Sequence, residues 1–155
     1  MAYRIEGLDP STFAPLFAMH DAQLAAINAR RVVADADRGY PCRVSLEDAR
    51  AGESLILLNH VSHDVATPFR SSYAIYVRAA ATRAEIFEDC TPPVFEGRPL
   101  AFRAFDAQGM MRDARLAAAG EADVAIRTLF ENDEIAYLHA HNAAHGCYAA
   151  RVLRN

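Results

Sequence analysis

The sequence predicts an α+β fold: a single domain with a mostly antiparallel sheet and two helices. Short runs of alternating or β-branched residues recur along the chain with turn residues between them, whereas apolar residues at helical spacing occur in two stretches. Consecutive strands that are not separated by helices favour an antiparallel sheet over βαβ units. A chain of 155 residues fits one domain with a substantial core, so residues 1–155 are assigned to that domain.

The N-terminal third is predicted as strand, helix and turn. Tyr3–Glu6 alternates as a short strand, and residues 9–12 (DPST) offer capping groups for a helix. Apolar residues at helical spacing run through residues 13–27 and predict one amphipathic helix, with a break before Asp21 left open. Residues 40–45 resume an extended path, because the residue before a proline is pushed out of the helical region.

The rest of the chain reads as strands and one further helix. The second helix covers residues 121–131, where Val124, Ala125, Leu129 and Phe130 lie on one side. Turns at residues 106–109 and 142–146 contain glycine, which tolerates the positive φ of a hairpin turn. The predicted strands cover residues 54–60, 72–77, 100–105, 110–116, 135–141 and 147–152.

Composition excludes several classes of partner. The net charge is −4, and the 16 basic residues, all arginine, are scattered along the chain rather than clustered. Binding to duplex nucleic acid needs a clustered cationic face, so no nucleic-acid partner is expected. We see no signal peptide and no apolar run long enough to cross a membrane, which favours a cytoplasmic protein with no membrane partner. Three cysteines without an export signal are expected to be free thiols.

Three segments resemble the bacterial family catalogued as domain of unknown function 1203. They are residues 37–46 (DRGYPCRVSL), residues 68–78 (PFRSSYAIYVR) and residues 139–147 (HAHNAAHGC), which run on to Arg151. The resemblance covers nearly the whole chain and supports the fold and the location of the site, but it supplies no reaction. The sequence departs from the family's Gly-Pro-Ile-Phe-Val-His pattern at residues 73–74 and at Arg78, and His141 stands where the family frequently has arginine. These departures weaken any mechanism that uses those histidines as metal ligands.

Residues 135–152 hold the densest group of chemically active side chains. His139 and His141 are two positions apart on a predicted strand and project from one face, which is a chelating geometry, and His145 follows in the loop. The spacing matches no common zinc motif, so no metal and no cofactor are predicted. His139, His141 and His145 remain the candidate ligands of an alternative interpretation, a metal-dependent enzyme.

Two cysteines are candidate nucleophiles. Arg43 beside Cys42 favours a thiolate there, and Cys147 lies close to the histidines, so either thiol could act with His139, His141 or His145 as the base. Small buried cysteines on strands are also common and inert, which is the alternative interpretation. The candidate catalytic residues are Cys42, Cys147, His139 and His141.

Our leading hypothesis from the sequence is a small-molecule binding protein or enzyme for an anionic ligand held by Arg43 and Arg70. Guanidinium groups bind carboxylate or phosphate in a bidentate manner. We expect the two arginines to converge on one accessible pocket that also receives Asn142, unless each is paired with a carboxylate such as Asp37 or Asp64. The residues expected to complete this pocket are Ser71, Ser72, Asn142 and Tyr148.

Other functions are disfavoured or left open. The glycines are dispersed and form no phosphate-binding loop, and no G-x-S-x-G motif is present, so the common nucleotide sites and that type of esterase are unsupported. A protein-association module with no catalytic site remains the alternative of a different class. The sequence leaves the ligand, the reaction and the oligomeric state open.

Overall fold

Nine strands form two antiparallel sheets. The computed structural model describes residues 1–155, with β1 (Tyr3–Glu6), β2 (Arg30–Val33), β3 (Ser54–His63), β4 (Ser71–Arg78), β5 (Ile86–Glu88), β6 (Leu100–Phe105), β7 (Met111–Ala117), β8 (Tyr137–Asn142) and β9 (Tyr148–Arg154). The larger sheet has six strands in the order β5-β1-β9-β8-β6-β7, and the smaller has three in the order β2-β3-β4. The α+β class with a mostly antiparallel sheet is therefore confirmed.

Three α-helices, α1 (Ala14–Phe17), α2 (Asp21–Ala26) and α3 (Ala122–Leu129), accompany the sheets. The helix predicted over residues 13–27 divides before Asp21, because His20 begins a new helix with a capping box. The His20 ring accepts from the Gln23 N–H, and the Gln23 side chain accepts from the His20 N–H. The longest helix, α3, has eight residues, and no helix has the length and apolar content needed to cross a membrane.

Helix α3 covers one face of the larger sheet. Its apolar side chains recur at helical spacing, so that Ala122, Ala125, Ile126 and Leu129 are buried while Val124 is exposed. These side chains join a cluster of 20 buried residues that includes Leu138 and Ala140 of β8. Burying each large aliphatic side chain stabilises the fold by roughly 1.5–3 kcal/mol.

The predicted C-terminal hairpin is confirmed. β8 and β9 pair in antiparallel fashion, with a register shift between Ala140 and His141. The loop closes through the Gly146 N–H, which donates to the Asn142 carbonyl, and Gly146 has a φ of 75°. The hairpin therefore holds Asn142 and Cys147 side by side, where the Asn142 N–H donates to the Cys147 carbonyl.

One irregular segment, residues 41–46, lies between the two sheets, and we call it the seam segment. The Arg43 N–H donates to the Tyr76 carbonyl of β4, and the Leu8 N–H beyond β1 donates to the Arg43 carbonyl. Gly7 permits this approach, since a Cβ there would lie 1.9 Å from the Val44 carbonyl oxygen. The seam segment thereby fixes how the smaller sheet sits against the larger one.

Candidate functional site

The second face of the six-stranded sheet is polar, yet the smaller sheet covers part of it. Side chains alternate along β8, so Leu138 and Ala140 pack in the apolar core while Tyr137, His139 and His141 project from the opposite face. Strands on either side of β8 add side chains to the same face. The resulting group, which we call the inter-sheet layer, consists of His63, Tyr73, Arg103, Phe105, Tyr137, His139, His141, Tyr148 and Arg151.

Ring contacts join the two sheets through this layer. The His63 ring, from β3, has its centroid 4.1 Å from that of Phe105 and 4.9 Å from that of His139. Tyr73, from β4, lies 4.9 Å from the His141 ring in an edge-to-face arrangement. Such ring pairs are worth about 0.5–1.5 kcal/mol beyond their area burial. The layer is therefore an ordered interface between the sheets.

Burial makes two of the histidines poor proton acceptors. Desolvation, with smaller contributions from His63, His141, Arg151 and Arg103, lowers the pKa of His139 to about 2. Desolvation also lowers the pKa of His141 to about 4. A general base works best with a pKa near the operating pH, so neither residue suits the role of catalytic base expected from the sequence. Both rings are therefore neutral at neutral pH.

The histidines differ in their hydrogen bonds. His63 Nδ1 lies 2.9 Å from the Phe69 carbonyl and His63 Nε2 lies 2.7 Å from the Tyr137 hydroxyl. His141 Nδ1 lies 2.9 Å from the Gly146 carbonyl. A carbonyl only accepts, so both Nδ1 atoms carry hydrogen. His139 makes no such bond, although it is 3% exposed. His139 is thus held by packing alone.

Two arginines flank His139 in the larger sheet. Arg103 on β6 and Arg151 on β9 are the cross-strand partners of His139, so the three side chains form a row across adjacent strands. Arg103 Nη1 donates to the Tyr73 hydroxyl, and the Arg151 guanidinium lies 4.7 Å from the Tyr137 ring centroid. Neither arginine forms a salt bridge in the structure. The row makes the layer electropositive.

A cavity of about 430 Å³ opens where the inter-sheet layer meets the seam segment, and we call it the seam pocket. Ten residues line it, and none is acidic; those that matter for its chemistry are Arg43, Tyr73, Ala74, Asn142, His145 and Cys147. A depression of similar volume at Asp9, Phe17 and Thr82 contains no histidine, cysteine or arginine, and another of about 450 Å³ contains Arg83 together with Glu6 and Asp9. We therefore take the seam pocket as the candidate functional site.

Arg43 is a buried cation in the wall of this pocket. The residue is 2% exposed, and its guanidinium donates from Nε to the Tyr148 carbonyl, from Nη1 to the Pro41 carbonyl and from Nη2 to Cys147 Sγ. Desolvation lowers the pKa of Arg43, but arginine stays protonated in proteins. No carboxylate balances this charge, which is costly for a buried ion.

Cys147 is the thiol that the pocket presents. Its Sγ lies 3.3 Å from Arg43 Nη2 and 3.3 Å from Asn142 Nδ2. The sulfur thus has two N–H donors directed at it, one of them cationic. Cys147 is partly exposed and lines the cavity. Asn142, Cys147 and His145 thus line the same cavity.

The expected convergence of Arg43 and Arg70 is wrong. The Arg43 N–H donates to the Tyr76 carbonyl near one end of β4, whereas Arg70 immediately precedes Ser71 at the other end of that strand. Six residues of extended strand separate the two positions by about 20 Å, at about 3.3 Å per residue. Arg70 is exposed and pairs with Asp64 at 3.1 Å. Arg43 is not accessible in the expected way either, because backbone carbonyls and a sulfur take three of its donors.

Several other predicted residues also lie away from the cavity. Ser71 and Ser72 begin β4 and do not line the seam pocket. Tyr148 is buried against His139, and desolvation raises the pKa of its phenol. Cys42 is fully buried in an apolar cluster with Phe13 and other side chains, so a substrate has no route to its sulfur. The candidate nucleophile Cys42 is therefore a core residue.

The candidate metal ligands are divided between two environments. His139 and His141 lie inside the inter-sheet layer, whereas His145 is exposed in the hairpin loop. No three His, Cys, Asp or Glu side chains converge in a geometry that could hold a metal ion. The metal-dependent alternative gains no geometric support.

Sequence reasoning did not identify Arg103 as a candidate. In β6 (LAFRAF) a single arginine among alternating apolar residues is typical of a solvent-facing position. Only the register, which sets Arg103 beside His139, reveals its place in the layer.

Comparison with known proteins supports one assignment. No curated protein and no solved structure matches the chain. Residues 39–154 match the family described as "Protein of unknown function (DUF1203)". The match contains the seam segment, β4 and the β8–β9 hairpin, which carry the resemblance seen in the sequence. Because it covers most of the chain, this protein belongs to the DUF1203 family.

Proposed function

We propose that this protein binds a small anionic molecule in the seam pocket. The observation that carries the proposal is Arg43: a guanidinium that is almost fully buried, has no carboxylate partner and lines a cavity without acidic residues. A buried charge needs compensation, and an anionic ligand would supply it where the protein does not.

Free donors near the cavity support the same proposal. A guanidinium has five N–H donors, and three of those of Arg43 are used within the protein. The Tyr73 hydroxyl accepts from Arg103 and keeps its own proton for a ligand. The Asn142 amide and the His145 ring add further polar groups to the lining. Such a set of donors suits carboxylate or phosphate oxygens.

A second candidate function is nucleophilic chemistry by Cys147. Its sulfur is partly exposed and lines the cavity, so an electrophile bound there would lie beside the thiol. Cys147→Ser separates the two functions: it should preserve anion binding while abolishing any turnover of a bound electrophile. Turnover that survives in Cys147→Ser would exclude the thiol mechanism.

Binding is tested by thermal unfolding of the wild type with acetate, citrate and inorganic phosphate. An anion at ten times its Kd adds about 1.4 kcal/mol of stability, which raises the Tm by about 4 °C for a domain of this size. We expect at least one anion to give such a shift, and the shift to shrink in Asn142→Ala and His145→Ala. Arg70→Ala is the matched control, because Arg70 lies outside the cavity, and it should keep the full shift.

Two results would contradict the proposal. One is the absence of any stabilisation by the panel at millimolar concentration. The other is a shift that stays unchanged in Asn142→Ala and His145→Ala, since the anion would then bind elsewhere. Either outcome would leave the association module as the better interpretation.

A further inference from the structure

Strand β4 has a free edge inside the seam pocket. In an antiparallel pair, alternate residues direct their N–H and C=O groups toward the partner strand and away from it. The Ala79 N–H donates to the Ser54 carbonyl of β3, so residues 77, 75 and 73 also face β3. The even-numbered residues face away. Two contacts agree: the Arg43 N–H donates to the Tyr76 carbonyl, and the Arg78 N–H donates to Cys42 Sγ.

Ala74 therefore presents an unpaired N–H and C=O. The seam segment pairs with β4 at Cys42 and Tyr76, and β4 is the last strand of its sheet. No protein group bonds to the outward backbone groups of Ala74, which is exposed and lines the seam pocket. An unpaired strand edge is a template for an added extended ligand.

The geometry points to an N-acylated α-amino carboxylate, R–CO–NH–CHR′–COO⁻, as the ligand of the seam pocket. In an antiparallel ladder, one residue exchanges two hydrogen bonds with one residue of its partner. The α-carboxylate takes the place of that partner's carbonyl and accepts from the Ala74 N–H, and the α-N–H donates to the Ala74 carbonyl. This inference rests on the proposed function, since the same carboxylate is the anion that compensates Arg43.

Charge selects the acylated form over the free amino acid. The pocket lining contains one buried cation and no carboxylate. An α-ammonium group would add a second positive charge without a counterion, whereas an amide N–H offers the same donor with no charge. A peptide C-terminus and a free N-acylamino acid share this chemistry.

Matched ligands test the inference on the wild-type protein by isothermal titration calorimetry. N-Acetylglycine carries the α-N–H, and 4-oxopentanoate replaces that N–H with a methylene group. One hydrogen bond is worth a roughly five-fold difference in Kd, so N-acetylglycine should bind that much more tightly than 4-oxopentanoate. Glycine and N-acetylglycinamide should both bind more weakly than N-acetylglycine. N-Acetyl-triglycine identifies the source, since added affinity indicates a peptide and none indicates a free N-acylamino acid.

A proline substitution tests the strand edge itself. Proline is tolerated on an edge strand where the N–H faces away from the ladder, so Ala74→Pro removes the donor directed into the pocket. Ser72→Pro is the matched control, because Ser72 has the same parity on the same edge but does not line the pocket. Ala74→Pro should raise the Kd for N-acetylglycine roughly five-fold or more, and Ser72→Pro should leave that Kd unchanged.

The outcomes separate this inference from the proposed function. If 4-oxopentanoate binds as tightly as N-acetylglycine, the α-N–H makes no bond and the inference fails while anion binding stands. If Ala74→Pro leaves the Kd unchanged, the edge is not used and the inference also fails. If none of the carboxylates binds, the proposed function itself is wrong. The wild-type comparison decides the matter even if Ala74→Pro does not fold.

Discussion

Replacing His139 with phenylalanine should make the protein less sensitive to acid. The His139 ring is enclosed by His63, Phe105, Tyr137 and Tyr148 and makes no hydrogen bond within the protein. Burial, with smaller contributions from His63, His141, Arg151 and Arg103, lowers its pKa to about 2, far below the value of 6.5 in an unfolded chain. An apolar ring of similar size can fill the site without this penalty.

The expected magnitude follows from proton linkage. Below pH 6.5 the unfolded chain protonates His139 and the folded protein does not, so the unfolded state gains about 1.4 kcal/mol for each pH unit. Stability is therefore complete above about pH 7 and is lost progressively toward the folded pKa. At pH 5 the loss is about 2 kcal/mol for His139 and about 2 kcal/mol for His141, whose folded pKa is about 4. A loss of about 4 kcal/mol is large beside a total stability of about 5–15 kcal/mol.

Urea unfolding followed by circular dichroism at pH 7, 6 and 5 measures this difference. Between pH 7 and pH 5, His139→Phe should lose about 2 kcal/mol less than the wild type. His145→Gln is the control, because the His145 side chain is exposed, and it should follow the wild-type curve. Parallel pH profiles for the wild type and His139→Phe would refute the reasoning, since His139 would then titrate alike in both states.

Three further predictions follow from single contacts. Arg98→Ala should lower the free energy of unfolding by about 3 kcal/mol, because Arg98 forms a mostly buried ion pair with Asp48 through two hydrogen bonds. Arg70→Ala, which removes an exposed ion pair, should lower it by less than about 1 kcal/mol. Equal losses for the two variants in urea unfolding would contradict this prediction. Gly7→Ala should lower the free energy of unfolding by about 3 kcal/mol or more, because the new Cβ would overlap the Val44 carbonyl. Gly120→Ala, where the new Cβ meets open space, should lower it by about 1 kcal/mol. A Gly7→Ala protein with the wild-type Tm would show that the seam segment can shift. Iodoacetamide should modify Cys90 and Cys147 in the folded protein but Cys42 only after unfolding, as measured by peptide mass spectrometry. If Cys42 in the folded protein reacts as fast as Cys90, the apolar cluster around Cys42 must open.

The sequence predicted those strands whose own pattern carries the signal. β8 and β9 alternate, and a glycine closes their loop, so the hairpin could be predicted without the rest of the chain. β2 (Arg30–Val33) and β5 (Ile86–Glu88) could not, because each is short and shows no alternation of its own. β2 is extended because it pairs with β3, and β5 because it pairs with β1. Neither segment's own sequence predicts this pairing.

Polar density along the chain indicated where candidate residues lie, but not which of them the fold brings together. Polar density identified the β8–β9 loop and the seam segment, and the fold does bring Arg43, Asn142 and Cys147 together. The same density around Arg70 belongs to the far end of β4, where Arg70 pairs with Asp64. Density along the chain indicates that a strand has a polar end, but not which end of the strand reaches the site.

The row of Arg103, His139 and Arg151 is only partly open to solvent, since Arg151 is exposed, Arg103 is half-buried and His139 is buried. Alternation placed Arg103, His139 and Arg151 on one face, opposite the apolar core, and an alternating strand normally presents such a face to water. Here Tyr73 and His63 of the smaller sheet lie against it, so part of the polar face is desolvated. Desolvating the His139 and His141 imidazoles costs free energy that apolar side chains would not. Apolar residues at the same positions would avoid this cost, so the layer beside the cavity lined by Arg43 is one of the reasons for proposing an anion site there.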